Sequence, residues 1–160
     1  MASNQPSVFI DGEAGTTGLG IRTRLQMMPG IGLRSLPAAR RKDPSARQDV
    51  MAVCDLVVLC LPDDAARESV ALAGALGSDA PKLLDASTAH RVDPEWTYGF
   101  PEMAADQPGR IAASRRVSNP GCYPTGAIGL LRPLVQAALV PPDHPITISA
   151  VSGYSAVAER

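Results

Sequence analysis

The sequence has few of the groups that most often bind metals or act as general bases. It contains two histidines and three cysteines, the latter at positions 54, 60 and 122. The cysteines are odd in number and show no paired spacing, so they indicate neither a disulfide framework nor a zinc site. We therefore expect no metal centre, and this cysteine usage favours a reducing cytoplasm.

Long hydrophobic runs and an excess of one charge are missing as well. The longest apolar run, LVVLCL at 56–61, is far too short to span a bilayer. The first residues, MASNQPSVFID, lack the basic and apolar regions of a signal peptide. The formal net charge of -1 argues against nucleic acid or an acidic membrane as a partner. We expect a cytoplasmic protein that acts on a small-molecule substrate.

Apolar runs and helical patterns alternate over about the first 90 residues. The pattern predicts strands at 7–11, 30–37, 55–62 and 81–87, and helices at 17–28, 43–54 and 63–76. The strands are continuously apolar, which is typical of strands that are buried on both faces. The sequence therefore predicts an α/β fold with a doubly wound, mostly parallel Rossmann-type sheet.

The alternation stops near residue 90. We expect loops over 91–116, a helix over 125–139 that Pro133 kinks or divides, and a new strand over 145–151. This pattern predicts two domains. We expect a Rossmann-type domain over residues 1–116, with residues 117–160 forming the incomplete beginning of an α+β domain.

A glycine-rich segment, DGEAGTTG at 11–18, directly follows the first predicted strand. Gly12, Gly15 and Gly18 form a variant of the dinucleotide-binding fingerprint. In such a loop the glycines permit a tight turn, the approach of a phosphate and close packing of helix on strand. The helix N-terminus then attracts the pyrophosphate. We predict a cofactor loop here, with a glycine-rich turn that binds no ligand as the alternative.

The segment after the second predicted strand, LRSLPAARRK, has no acidic residue before Asp43. An acidic residue there would bind the ribose 2′-hydroxyl of NAD. Ser35, Arg40 and Arg41 instead offer a hydroxyl and two guanidinium groups for a 2′-phosphate, which favours NADP. For each arginine the alternative is a solvated basic loop.

The segment SNPGCYPTG at 118–126 places one cysteine between Pro-Gly and Tyr-Pro. Proline fixes φ and glycine permits positive φ, so together they hold a side chain at a set angle on a sharp turn. A thiolate that begins a helix is also stabilised by the helix dipole. We predict that Cys122 attacks an acyl carbon to form a thioester and that Asn119 donates to the oxyanion. The alternative is a structural cysteine.

No general base is evident from the sequence. His90, in DASTAHR, either lines the crevice or makes a hydrogen bond within a loop, and His144, in PPDHP, is typical of a solvent-exposed connection. The apolar neighbours of Cys54 and Cys60 indicate small core side chains. A dinucleotide loop combined with a cysteine on a turn points to one reaction class, the reduction of a thioester to an aldehyde by NADPH or the reverse reaction.

Several segments together resemble the N-acetyl-gamma-glutamyl-phosphate reductases of arginine biosynthesis, and most closely their shorter type 2 branch. These segments are FIDGEAGTTGLGIRTRL, CLPDDAARE, DASTAHR, YGFPE, SNPGCYPTGA and VSGYS. The resemblance implies NADPH-dependent reduction of N-acetyl-5-glutamyl phosphate to N-acetylglutamate 5-semialdehyde and phosphate. It also implies a homo-oligomer for the full-length members of the family.

The resemblance also implies roles for individual residues. Cys122 matches the nucleophile, and residues 12–18, including Thr16 and Thr17, match the cofactor loop. Ser87 and Thr88 fall where the family lines the crevice near the nicotinamide. The motifs near the substrate contain Asn119, Arg91 and Glu102.

The resemblance weakens towards the end of the chain. The family's catalytic histidine and most of its substrate domain lie beyond Arg160, and the family continues VSGYSGxGR where this chain reads VSGYSAVAER. We therefore expect a truncated member that binds NADPH weakly and turns over poorly or not at all. The alternatives are a related dehydrogenase of the aspartate-semialdehyde or glyceraldehyde-phosphate type, or a catalytically inactive nucleotide-binding module.

Overall fold

A computed structural model describes residues 5–151 of the chain. Six strands are present in these residues: β1 (Ser7–Asp11), β2 (Gly32–Arg34), β3 (Leu56–Leu59), β4 (Lys82–Asp85), β5 (Thr97–Tyr98) and β6 (Arg116–Ser118). The α-helices are α1 (Thr16–Gln26), α2 (Pro44–Met51), α3 (Asp63–Gly74), α4 (Gln107–Ala113) and α5 (Cys122–Gln136). No helix among the described residues is both long and apolar enough to cross a membrane.

The six strands form one sheet in the order β2-β1-β3-β4-β6-β5, and every neighbouring pair is parallel. The last residues of four adjacent strands are in register, since Asp11 lies opposite Leu59, Leu59 opposite Asp85, and Asp85 opposite Ser118. The loops that follow these strands therefore meet at one edge of the sheet. In open α/β sheets, ligands bind at this edge.

Alternate side chains of the central strands enter two separate hydrophobic clusters. Phe9 and Val57 pack with residues of α2 and α3, including Met51 and Ala73. The intervening side chains, exemplified by Ile10, pack with residues of α1 on the other face. Helices thus cover both faces of a parallel sheet, which confirms the doubly wound fold predicted from the continuous apolar strands.

A buried ion pair joins the end of β1 to α2 and α3. Nε and Nη2 of Arg47 both donate to Oδ2 of Asp11, at 3.1 and 2.9 Å, and the hydroxyl of Ser69 donates to the same oxygen at 2.6 Å. Arg47 also donates to Glu68 at 3.0 Å. The three donated hydrogen bonds replace the water that this carboxylate loses on burial.

The expectation of loops throughout residues 91–116 is wrong. The segment 91–116 is not all loop, because it contains β5, α4 and the first residue of β6. Strands of two and three residues are too short to produce a periodic pattern. They extend the sheet in sequence, since β6 pairs with β4 and β5 pairs with β6. The predicted domain boundary at 116/117 falls within β6 and stays a prediction.

The segment 145–151 forms no strand, although its residues alternate in polarity. A strand needs a partner for its backbone groups, and within the described residues the sheet ends at β5. Pro133 lies inside α5 without dividing it, so the continuous helix corrects the alternative of two pieces. Most of the VSGYS motif lies outside the described residues.

Replacing Arg47 tests how strongly the buried ion pair holds β1 and α2 together. We expect Arg47→Met to lower the free energy of unfolding by about 3–5 kcal/mol, because it leaves the buried Asp11 carboxylate without its charged partner. Urea unfolding of the purified chain measures this. Arg40→Met is the matched control, since Arg40 makes an exposed ion pair with Asp43. A midpoint equal to that of the control would contradict the prediction.

Candidate active site

The glycine loop between β1 and α1 is shaped by two close backbone contacts. Gly12 has a φ of +90°, and a Cβ there would overlap the carbonyl oxygen of Cys60 at the end of β3. A Cβ on Gly18 would overlap the carbonyl oxygen of Gly12. The two contacts hold the loop against β3 and bring the start of α1 close to the sheet, as the fingerprint predicts.

The N-terminus of α1 is open towards the loop. Its N-cap residue, Gly15, has no side chain to accept a hydrogen bond from the first-turn amides. These amides and the positive end of the helix dipole are suited to an anion such as a pyrophosphate. The backbone cradle and the uncapped helix therefore fit a dinucleotide.

Two cavities flank this loop. The larger, of about 580 Å³, extends from the loop towards the segment that follows β2 and is lined by Gly12, Glu13, Arg41, Lys42 and Arg47 among others. The second, of about 360 Å³, is lined by Gly15, Thr17, Cys60, Leu61, Pro62 and Ala86. The cavities follow the direction that an extended dinucleotide takes in this fold, from the end of β2 past the glycine loop towards β4.

The predicted phosphate-binding residues after β2 are placed differently from one another. Arg41 lines the larger cavity together with Lys42, which the sequence analysis did not single out. Arg40 is absent from that lining, and its Nη2 lies 3.3 Å from Oδ2 of Asp43. The hydroxyl of Ser35 donates its proton to Glu13 rather than facing the cavity as a free donor.

Glu13 is a site residue that the sequence analysis missed. Its side chain is only 4% exposed, although it lies within the glycine loop. No acidic residue directly follows β2 in the sequence, whereas the Glu13 carboxylate reaches the segment after β2 from the glycine loop and contacts Ser35 and Arg41 there. The sequence signal for Glu13 was its position directly after Gly12, because the glycine loop runs from there towards the end of β2.

The loop after β4 is fixed by the buried carboxylate of Asp85. Oδ1 and Oδ2 accept hydrogen bonds from the backbone amide and the hydroxyl of Ser87, at 2.9 and 2.7 Å. Nδ1 of His90 lies 2.6 Å from Oδ2, and its ring stacks on Trp96 with centroids 4.3 Å apart. The buried His90 thus makes a hydrogen bond within the loop, which is one of the two roles considered for it.

Thr88, the other predicted nicotinamide contact, closes this loop onto α3. Its hydroxyl donates to Oδ2 of Asp63 at 2.5 Å, and its amide donates to Oδ1 at 3.0 Å. The hydroxyl bond is the main reason that the pKa of Asp63 lies below its usual value. Since both hydroxyls of Ser87 and Thr88 are engaged with carboxylates, contacts of these residues with a cofactor stay a prediction.

Cys122 is the exposed first residue of α5. Gly121 is the N-cap, in extended conformation, so the first-turn amides of α5 have no side-chain cap. The backbone amide of Asn119 donates to the carbonyl of Asp85 at 2.7 Å, which anchors the cysteine loop to the end of β4. The cysteine therefore stands at the same sheet edge as the glycine loop.

Two of the three predicted substrate residues lie beside this cysteine loop. Arg91 donates from Nε to the carbonyl of Asn119 at 3.1 Å and from Nη2 to the carbonyl of Ala86 at 3.3 Å. The side-chain amide of Asn119 donates from Nδ2 to the carbonyl of Pro120 at 3.3 Å. Glu102 is exposed in a 3₁₀ turn, Pro101–Met103, that packs against α5.

Comparison with known families identifies the first part of the chain. Residues 12–110 match the model of the semialdehyde dehydrogenase, NAD binding domain. The matched segment contains the glycines of the loop, most of the residues that line the larger cavity, and the loop after β4. It ends before the cysteine loop.

Curated relatives confirm the resemblance seen in the motifs. The chain is 59% identical over 150 residues to the N-acetyl-gamma-glutamyl-phosphate reductase of Burkholderia cenocepacia, covering 94% of this chain and 47% of the relative. It is 52% identical over 151 residues to the protein of that name from Sinorhizobium fredii, covering 94% and 48%. The chain thus spans about half the length of these relatives.

Solved structures agree on the fold. Aspartate semialdehyde dehydrogenase from Francisella tularensis superposes with a TM-score of 0.61 at 16% identity, over 83% of this chain and 41% of that one. Aspartate semialdehyde dehydrogenase II from Vibrio cholerae gives 0.57 at 14% identity, over 84% and 47%. At these identities the likeness establishes the fold alone.

Two glycines of α1 provide a matched test of the loop geometry. Gly18→Ala should lower the free energy of unfolding by about 1–3 kcal/mol, because its methyl group overlaps the backbone of Gly12. Gly20→Ala should raise it by about 0.5–1 kcal/mol, since no atom lies within 4 Å of that Cβ and alanine favours a helix. Urea unfolding measures the free energy of unfolding of both variants, and equal changes in the two would contradict the prediction.

Removing the Thr88 hydroxyl tests the loop contact to α3. In Thr88→Val the pKa of Asp63 should rise towards its ordinary value, because the main hydrogen bond that lowers it is gone. The contribution of the ionised Asp63 to folding stability is present above its unfolded-state pKa and is lost as the pH falls through its folded-state pKa. An NMR titration of the carboxyl carbon chemical shifts measures the pKa of Asp63. Asp43, whose pKa is lowered mainly by the amide of Ala46, should not move.

Proposed function

We propose, from the premise that the chain belongs to the semialdehyde dehydrogenase family and carries its NAD-binding domain, a function within that family. The chain supplies the cofactor domain and the nucleophile of an N-acetyl-gamma-glutamyl-phosphate reductase. The reaction reduces N-acetyl-5-glutamyl phosphate to N-acetylglutamate 5-semialdehyde and phosphate. The observation that carries the proposal is the position of Cys122, which begins an uncapped helix at the same sheet edge as the glycine loop.

The first chemical step uses the sulfur of Cys122. Its thiolate attacks the acyl carbon, a carbon–sulfur bond forms, and the bond from carbon to the phosphate oxygen breaks as phosphate leaves with the electron pair. The first-turn backbone amides of α5 and the side-chain amide of Asn119 are proposed to stabilise the oxyanion. The proposed role of Arg91 is to hold the cysteine loop through the carbonyl of Asn119 and to offer its charge to the leaving phosphate. Glu102 is proposed as a further contact near the substrate.

The second step requires a nicotinamide dinucleotide, which when bound supplies the hydride that reduces the thioester carbon to an aldehyde. We propose NADP as this cofactor. The loop residues Gly12, Gly15, Thr16, Thr17 and Gly18 would bind the pyrophosphate. Arg41 and Lys42 would contact the 2′-phosphate, supported by their position on the larger cavity. Ser87 and Thr88 would position the loop beside the nicotinamide.

We expect this chain to be acylated more readily than it turns over. His90 is engaged with Asp85 and Trp96, and His144 is exposed on a turn, so neither is placed as a general base for Cys122 among the described residues. Thioester formation needs only the thiolate, whereas release of the aldehyde needs repeated proton transfer. A slow second step therefore follows from the groups present.

We further propose that the protein is cytoplasmic and that full-length relatives assemble as homo-oligomers. The described cysteines are free thiols, which suits a reducing compartment. Leu130, Leu134 and Ile148 are exposed apolar side chains on or beside α5, as expected of a surface that another domain or subunit covers.

Acylation of Cys122 is the test of the proposed function. Incubation with N-acetyl-5-glutamyl phosphate should give one protein adduct, seen by intact-protein mass spectrometry and removed by hydroxylamine. Cys122→Ser should abolish the adduct, because a serine hydroxyl is not ionised at neutral pH. The control Cys54→Ala should keep it, since Cys54 is buried in the core.

Two results would count against the proposal. An adduct that survives in Cys122→Ser would place the nucleophile elsewhere. An adduct formed with aspartyl phosphate but not with the glutamyl compound would favour a dehydrogenase of the aspartate-semialdehyde type.

A further inference from the structure

A buried carboxylate in a loop that binds phosphates requires an explanation, and Glu13 is such a group. It directly follows Gly12, lines the larger cavity and is 4% exposed. A negative charge at this place opposes the binding of an anionic cofactor. The proposed function does not use Glu13.

Its contacts connect three parts of the ribose end of the site. Oε2 accepts the proton of the Ser35 hydroxyl at 2.8 Å and lies 3.3 Å from Nη1 of Arg22. Oε1 lies 2.8 Å from Nη2 of Arg41. Glu13 thus joins the glycine loop to α1 and to the segment that follows β2.

The contact with Ser35 determines what that hydroxyl can offer to a ligand. A serine hydroxyl has one proton and two acceptor lone pairs. Since the proton is donated to Glu13, the exposed Ser35 hydroxyl presents only lone pairs to a ligand that reaches it. It can accept a hydrogen bond from a ribose 2′-hydroxyl, but it has no proton left to donate to a 2′-phosphate. This reverses the role expected for Ser35 from the sequence.

The contact with Arg41 acts in the same direction. One guanidinium nitrogen of Arg41 faces the Glu13 carboxylate, and Nε donates to the carbonyl of Leu36 at 3.3 Å. Arg41 and Lys42 still provide positive charge for a 2′-phosphate. The carboxylate, however, cancels part of that charge within a few ångströms of where the phosphate would lie.

We propose that Glu13 is the positioning residue that sets the choice between a 2′-hydroxyl and a 2′-phosphate, and that it limits the preference for NADPH over NADH. It acts through Ser35, whose proton it holds, and through Arg41, whose charge it reduces. The inference rests on the proposed function for one point, that the ligand is a nicotinamide dinucleotide.

The test is equilibrium binding of NADPH and NADH to the purified chain, followed by cofactor fluorescence. Glu13→Gln should raise the ratio of the two affinities in favour of NADPH by about tenfold, since it removes a negative charge near the 2′-phosphate. The amide can also donate to Ser35, which frees the serine proton for the phosphate. A loss of stability alone would weaken both ligands equally, so the ratio separates positioning from folding. An unchanged or lower ratio overturns the inference.

A second variant avoids the buried residue. Ser35 is exposed, so Ser35→Ala should fold normally. We expect it to weaken the binding of NADH by about threefold, because the hydrogen-bond acceptor is lost, and to leave the binding of NADPH unchanged. Weaker NADPH binding with unchanged NADH binding would show that Ser35 donates to the phosphate, and this also overturns the inference. In the double variant the two effects should add only in part, because part of the Glu13→Gln effect acts through the hydrogen bond that Ser35→Ala removes.

Control measurements separate this inference from the proposed function. Glu68→Gln removes the same charge elsewhere on the cavity wall and should leave the affinity ratio unchanged. Adenosine 2′,5′-bisphosphate and adenosine 5′-phosphate, which carry only the ribose end, should repeat the shift in Glu13→Gln. If the wild-type chain binds neither NADPH nor NADH, the proposed function fails together with the inference. If it binds both and the ratio does not respond to Glu13→Gln, the inference alone fails.

Discussion

The contact between Gly12 and the carbonyl of Cys60 is the constraint on which the rest of the site depends. It joins the end of β1 to the end of β3, where the register aligns Asp11 with Leu59. Because only glycine tolerates that approach and that positive φ, the chain turns sharply and α1 begins within a few residues. The open N-terminus of α1, both cavities and the inward position of Glu13 all follow from this turn.

Buried carboxylates recur along the same sheet edge, and each is held by the protein. Asp11 is bound by Arg47 and Ser69, Glu13 lies against two arginines and Ser35, and Asp85 is bound by Ser87 and His90. Their hydrogen bonds hold the loops in one conformation, and the arginines beside Asp11 and Glu13 offset part of the negative charge of these two carboxylates. An edge that binds an anionic cofactor can therefore contain carboxylates, since what the ligand meets is the amides and guanidinium groups around them.

The sequence predicted the parts of the molecule that local patterns determine. The apolar runs identified β1, β3 and β4, and the glycines and Pro-Gly-Cys-Tyr-Pro identified the two loops at the site. It did not predict β5 or the role of Glu13, because both depend on contacts between residues far apart in the chain, such as Glu13 with Ser35. The segment 145–151 shows the converse, since an alternating pattern forms no strand without a partner among the described residues.

The two halves of the proposed reaction differ in what supports them. The glycine loop rests on β1 and β3, whose side chains fill both hydrophobic clusters. Helix α5, which begins at Cys122, buries none of its 15 residues within the described part of the chain. A helix that buries so little is held mainly by its ends, so the orientation of the thiol depends on whatever covers its apolar face. The proposed cofactor site therefore rests on the sheet and on the helices packed against it, whereas the proposed acylation of Cys122 is the step that a covering domain would accelerate.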